Sequence, residues 1–186
     1  MIYLDYAANT PVDKRVLEKY NEITLKYFGN PNSLHKLGIE AKKEIDNSSE
    51  IIANYFNTKK ENIIYTSGSS ESNNLVIKGI ADRYQNKGKH IIISEIEHSS
   101  VIAPCNYLSS KGFDITVISL DKNGNIDLEQ LKKSLREDTI LVSIAVVDFP
   151  PCIKGVIFIS LKLINTPEPL IPKNLWGAKV KKSTYL

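Results

Sequence analysis

Apolar residues recur at helical spacing, then in short unbroken runs, and the two patterns alternate along most of the chain. Val16, Tyr20, Ile23 and Tyr27 form one stripe. Thr10-Pro11 ahead of them reads as a helix start with proline in the first turn. Gly29 and Pro31 in "FGNPNS" break that helix. A longer helix follows, with Leu34, Leu37, Ala41, Ile45, Ile52 and Tyr55 on one face and "KKE" on the other. "NIIYT", 62–66, is the first expected strand, and a helix from about Ser70 to Tyr84 carries Val76, Ile80 and Tyr84. "HIIIS" is a fully apolar strand. A helix from near Ser99 to Ser110 comes next, in which Pro104 is tolerable only in or near the first turn. "ITVIS", 115–119, is the third strand and "DKNG" a turn. Asp127 caps a helix with Leu128, Leu131 and Leu135, and "TILVSIAVV", 139–147, is the fourth strand.

Strand–helix alternation of this kind predicts an α/β fold, with a mostly parallel sheet, flanking helices and right-handed crossovers. Ligand sites in such sheets lie at the carboxyl ends of the strands. After Val147 the pattern stops. Pro150, Pro151, Pro167, Pro169 and Pro172 crowd the last 39 residues. "GVIFISLKLI" offers one more strand, but no helix pattern follows it. The chain therefore divides into residues 1–147, one α/β domain, and 148–186, an unmatched and irregular tail.

Composition changes this picture little. The chain has 186 residues, enough for one real core, and its 42% hydrophobic and 24% charged residues are the ordinary globular mix. No apolar run approaches the roughly 20 residues of a spanning helix. The N-terminus lacks a basic-then-apolar leader. The expectation is a cytoplasmic protein with no membrane partner. Cys105 and Cys152 are too few for a disulfide framework or a zinc site. The net charge of +3 comes from the lysines of the tail. A basic tail is more simply a solvated end than a nucleic-acid contact, since no aromatic interleaving accompanies it.

Candidate chemistry starts at "IIYTSGSSESNN", 63–74. Gly68 allows a sharp turn after the strand. Ser69 and Ser70 then offer amides and hydroxyls at a helix N-terminus, where an anion is favoured. A plain serine cap without a ligand accounts for the same residues. Neither the P-loop pattern nor G-x-G-x-x-G is present. His98 in "SEIEHSS" falls on the same rim of the sheet, where an imidazole can stack on a flat cofactor or move a proton. A histidine bonded to backbone in a helix-start loop is the alternative.

Taken together, "YLDYAANTPVD", "FGNPNSLHKLG", "YTSGSSESNNLVIKG", "KHIIISEIEHSSVIAPCNYL", "GFDITVISLDKNGNIDLEQL" and "DTILVSIAVV" closely resemble, in order and spacing, the N-terminal part of cysteine desulfurases. These are pyridoxal-phosphate enzymes of the class V aminotransferase family. The resemblance covers about residues 2–147 and implies part of a fold type I large domain, normally in a homodimer. It implies pyridoxal 5'-phosphate as cofactor, with Ser69 and Ser70 on its phosphate and His98 stacked on its ring. It places Ala7, Ala8 and His35 near the substrate pocket or the dimer contact. The implied reaction converts L-cysteine to L-alanine and leaves a persulfide on the enzyme. A sulfur acceptor or an iron–sulfur scaffold protein takes up that sulfur.

The later motifs of that family have no match. "DFPP" stands where Asn-Asn-Glu is expected, and no strand with a pyridine-binding Asp follows. Lys154, Lys162 and Lys173 lack the Ser-x-His-Lys context of the Schiff-base lysine. His35-Lys36 belongs to an early motif. Cys105 lies in an apolar helical pattern and reads as a packed thiol, not a nucleophile. The expectation is a truncated, inactive desulfurase chain whose last strand leaves an edge to pair elsewhere. A pyridoxal-phosphate-binding or dimer-partner module without catalysis is the alternative, and an inert remnant the third.

Overall fold

The structure, a computed structural model, describes residues 2–4, 9–146 and 156–160. It forms two compact units, Met1–Tyr65 and Thr66–Leu186.

The first unit is helical. α1, Lys14–Lys26, starts later than Thr10-Pro11 suggests, because the cap is Asp13, whose carboxylate accepts from Arg15 N at 2.8 Å. α2, Lys36–Tyr55, is capped by His35, whose Nδ1 accepts from Gly38 N at 3.3 Å. The connection is held by a turn in which Asn30 Oδ1 accepts from Asn32 N and Asn30 O accepts from Ser33 N, both at 2.9 Å. Gly38 belongs there because its backbone runs close to that turn. A Cβ on it would stand 2.5 Å from Ser33 O and 2.6 Å from Asn30 O.

The expected strand at 62–66 does not form. Lys60–Asn62 is a 3₁₀ turn, and residues 63–66 run on without ladder bonds. A strand needs a neighbouring backbone as well as an apolar run, and none of the described strands pairs with this one. Tyr65 instead places its hydroxyl 3.0 Å from Ser49 Oγ.

The second unit carries α3 (Ser69–Tyr84), β1 (His90–Ser94), α4 (Ser99–Ser109), β2 (Asp114–Ile118), α5 (Leu128–Ser134), β3 (Thr139–Val146) and β4 (Val156–Ser160). The sheet order is β2-β1-β3-β4. β1 is parallel to both β2 and β3, and β4 runs antiparallel to β3. The edge left open after the fourth expected strand is thus paired, from within the segment read as tail.

Strand periodicity of two splits the core. Ile91, Ile93 and Leu141 pack with Ile77 and Ala81 of α3 and with Val101, Cys105 and Leu108 of α4. Ile92 and Val142 pack on the other face with Ile118, flanked by Leu131 of α5. Pro104 sits in the second turn of α4, beyond the first turn that the sequence suggests. Its ring removes the donor for the Ser100 carbonyl, and α4 runs through it as a buried element.

Candidate functional site

The carboxyl end of β1 and the N-termini of α3 and α4 gather the polar residues of the second unit. The segment before α3 is organised by its own side chains. Thr66 Oγ1 lies 2.6 Å from Ser72 Oγ, and Ser67 donates to Glu71 Oε2 through its N–H at 2.6 Å and its hydroxyl at 2.7 Å. Those two bonds hold the Glu71 carboxyl below its ordinary range.

Gly68 is the N-cap of α3. Its φ of 164° is extended backbone, so the sharp turn expected of this glycine is not what it supplies. Having no side chain, it leaves the helix start without a side-chain cap, and a Cβ there would meet open space. Ser69 and Ser70 form the exposed first turn. No side chain caps the amides of that turn, and free helix-start amides favour an anion.

His98 is the N-cap of α4, four residues beyond the end of β1. Its Nδ1 accepts from Ser100 N at 3.1 Å and stands 2.9 Å from Ser100 Oγ. The backbone-bonded alternative is therefore realised, and it leaves the ring exposed rather than buried. Ser100 Oγ accepts from Asn73 Nδ2 at 2.8 Å. Asn73 lies on α3 in line with Ile77 and Ala81, and both Asn73 and Ser100 are buried. The helix bearing Ser69 and Ser70 is thereby joined to the helix bearing His98. Sequence reading missed Asn73 and Ser100. The available signal was an amide at i−4 to Ile77 on the buried stripe, where a polar side chain needs a partner.

Glu97 was also missed. It is buried, with Oε1 accepting from Ser94 Oγ at 2.8 Å, while Ser94 Oγ accepts from Ala145 N at 3.2 Å. Glu97 Oε2 and Ser143 Oγ have no partner among the described residues. Both belong to the carboxyl-end region of β1 and β3, where a ligand or a further segment finds unmet polar groups.

Cys105 is fully buried in the α3/α4 core. Burial, aided by the Glu97 charge, pushes its thiol up to about 11, so it is not a thiolate at neutral pH. His35 caps α2 in the first unit. Ala7, Ala8, Asp148, Cys152, Lys154, Lys162 and Lys173 lie outside the described residues. The described residues contain no cluster fit to hold a metal ion and no helix long and apolar enough to cross a membrane.

The family described as "Aminotransferase class-V" matches residues 2–158. A cysteine desulfurase IscS of Dictyoglomus turgidum is 48% identical over 143 residues, which are 77% of this chain and 36% of that protein. Cysteine desulfurase IscS 1 of Archaeoglobus fulgidus is 45% identical over 144 residues, 77% of this chain and 38% of that protein. Among solved structures, a NifS-like protein superposes with a TM-score of 0.75 at 37% identity, covering 79% of this chain and 40% of the other. The apo cysteine desulfurase of Thermococcus onnurineus NA1 superposes with a TM-score of 0.70 at 32% identity, covering 79% and 37%. The chain spans little more than a third of the length of these two curated relatives.

Proposed function

The chain belongs to the aminotransferase class-V family, whose desulfurase members are pyridoxal-phosphate enzymes, and we propose that it carries the cofactor-phosphate side of a cysteine desulfurase. The observation behind this is the uncapped, exposed start of α3, tied through Asn73 and Ser100 to the helix capped by His98. The first-turn amides at Ser69 and Ser70 hold the phosphate of pyridoxal 5'-phosphate. The His98 ring, anchored at Nδ1 on an exposed residue, lies against the pyridine ring. When bound, the cofactor supplies an electron sink for bond cleavage at the substrate amino acid.

Substrate and partners belong to the same proposal: L-cysteine as sulfur donor, a sulfur acceptor or iron–sulfur scaffold as recipient, a second copy as dimer partner, and the cytoplasm as location. The apolar residues that α1 and α2 leave exposed support the dimer. Turnover needs two further groups, a lysine for the cofactor and a thiolate for the substrate sulfur. Cys105 is too buried and too weakly acidic to be the second. We read these 186 residues as competent to bind the cofactor and deficient in turnover, because the Ser-x-His-Lys context of the Schiff-base lysine is not among them.

Titration with pyridoxal phosphate, followed by its absorbance and competed with inorganic phosphate, tests the reading. Saturable binding that phosphate displaces is expected, weakened about tenfold by Ser70→Asp, which sets a negative charge at the helix start. Alanine formed from L-cysteine by the purified chain would overturn the turnover-deficient part. Binding indifferent to Ser70→Asp and to phosphate would remove the phosphate seat.

A further inference from the structure

The hydrogen bonds joining Asn73, Ser100 and His98 have a direction. Asn73 Nδ2 can only donate, so at 2.8 Å it occupies a lone pair of Ser100 Oγ. The Ser100 hydroxyl proton is left for an acceptor, and His98 Nδ1 lies 2.9 Å away. Nδ1 also receives the Ser100 backbone N–H at 3.1 Å. Two donors converge on one ring nitrogen, which therefore carries no proton. In the neutral ring the proton sits on Nε2. Among the described residues no hydrogen bond engages that second nitrogen. A buried amide on α3, one turn into the helix that begins with Ser69 and Ser70, is thus linked through a single hydroxyl to an exposed ring at the start of α4.

We propose that Asn73 is a positioning residue for the ligand site: acting through Ser100, it holds His98 as the Nε2–H tautomer, so that the ring edge offers a hydrogen-bond donor and not an acceptor. A ligand or substrate group meeting that edge is then an acceptor, such as a carboxylate. The inference rests on the reading of His98 as a ligand-site residue, but the tautomer lock itself needs no cofactor.

The test is ¹⁵N NMR of the full chain labelled at histidine, recorded without cofactor. Only three histidines are present, and His98→Gln assigns the signal. In the wild type, His98 is expected as a bare Nδ1 and a protonated Nε2. Asn73→Asp removes the donor and accepts the Ser100 hydroxyl, reversing the chain of bonds. The ratio of Nε2–H to Nδ1–H is expected to fall about fivefold, the loss of one hydrogen bond. Asn73→Leu fills the space without polarity and is expected between the two. The His90 signal, from a ring held between two threonine hydroxyls, reports whether each variant keeps its sheet. A predominant Nδ1–H form in the wild type overturns the proposal without any variant. An identical ratio in wild type, Asn73→Asp and Asn73→Leu overturns it as well, because packing alone then explains Asn73. A chain that shows the tautomer shift but binds no pyridoxal phosphate leaves this inference standing and removes the proposed function. Phosphate-displaceable binding without the shift does the reverse.

Discussion

In the helical unit of residues 1–65, α1 buries none of its side chains, whereas every residue of β1 in the second unit is buried. Both segments follow clear hydrophobic patterns. Val16 and Tyr20 of the α1 stripe are exposed, and Leu34, before α2, is 94% exposed. Ile91 and Leu141 of the second unit are 0% exposed. Periodicity tells which side of an element is apolar. It does not tell whether anything lies against that side. β1 is flanked by two strands and covered by helices on both faces, so its run of isoleucines is used in full.

The largest expected effect breaks or confirms this contrast directly. Ile91→Ala or Leu141→Ala should cost about 3 kcal/mol in urea unfolding, because each leaves a cavity in a packed core. Leu34→Ala and Val16→Ala should stay within about 0.5 kcal/mol. Equal costs in the two units would erase the distinction. Gly38→Ala comes next, at about 2 kcal/mol, because its Cβ meets two carbonyl oxygens of backbone rather than a flexible side chain. Faster amide exchange throughout α2, with β1 unchanged, is the expected readout, and an unaffected α2 would show that the close approach is not required.

Caps sharpen the comparison at smaller scale. Asp127 accepts from both Glu129 N and Gln130 N at the start of α5, at 3.0 and 2.9 Å, so Asp127→Ala should cost about 1 kcal/mol. Asp13 accepts from the Arg15 amide at 2.8 Å and from the exposed Arg15 guanidinium at 3.0 and 2.7 Å, and because that ion pair is solvated Asp13→Ala should cost less in thermal unfolding.

The smallest effect is a slope with pH. His90 is buried, with Nδ1 2.7 Å from Thr139 Oγ1 and Nε2 2.8 Å from Thr116 Oγ1. Burial first, then the Arg136 charge, lower its pKa from the ordinary 6.5, against the opposing pull of Asp114 and Asp138. The unfolded chain therefore binds this proton more readily than the folded one. Stability from His90 is complete above about pH 6.5 and declines as pH falls from there through the lowered folded value. His90→Asn should flatten that part of a stability-against-pH profile, and an unchanged profile would mean that other groups set it.

Much of the second unit was legible because local signals and tertiary outcome coincide there. α3 begins at Ser69, one residue before the expected start at about Ser70, β1 is "HIIIS", and Asp127 caps α5. The strand at 62–66 was misread because an apolar run carries no record of its pairing partner. Gly68 was read as a turn former, whereas in the structure its missing side chain is what matters. Asn73 and Ser100 escaped because their meaning lies in each other: 27 positions apart in sequence, they become a site only when α3 packs on α4.

The alternation of helices and strands from α3 to β3, the Asp127 cap of α5 and the family membership are properties of the sequence, since capping and periodicity act over a few neighbouring residues. Which apolar faces are covered, which strands pair and which way β4 runs were decided by tertiary structure. Burial, ladder bonds and buried polar networks need partners distant in the chain, and the free energy they contribute exists only once the fold brings those partners together.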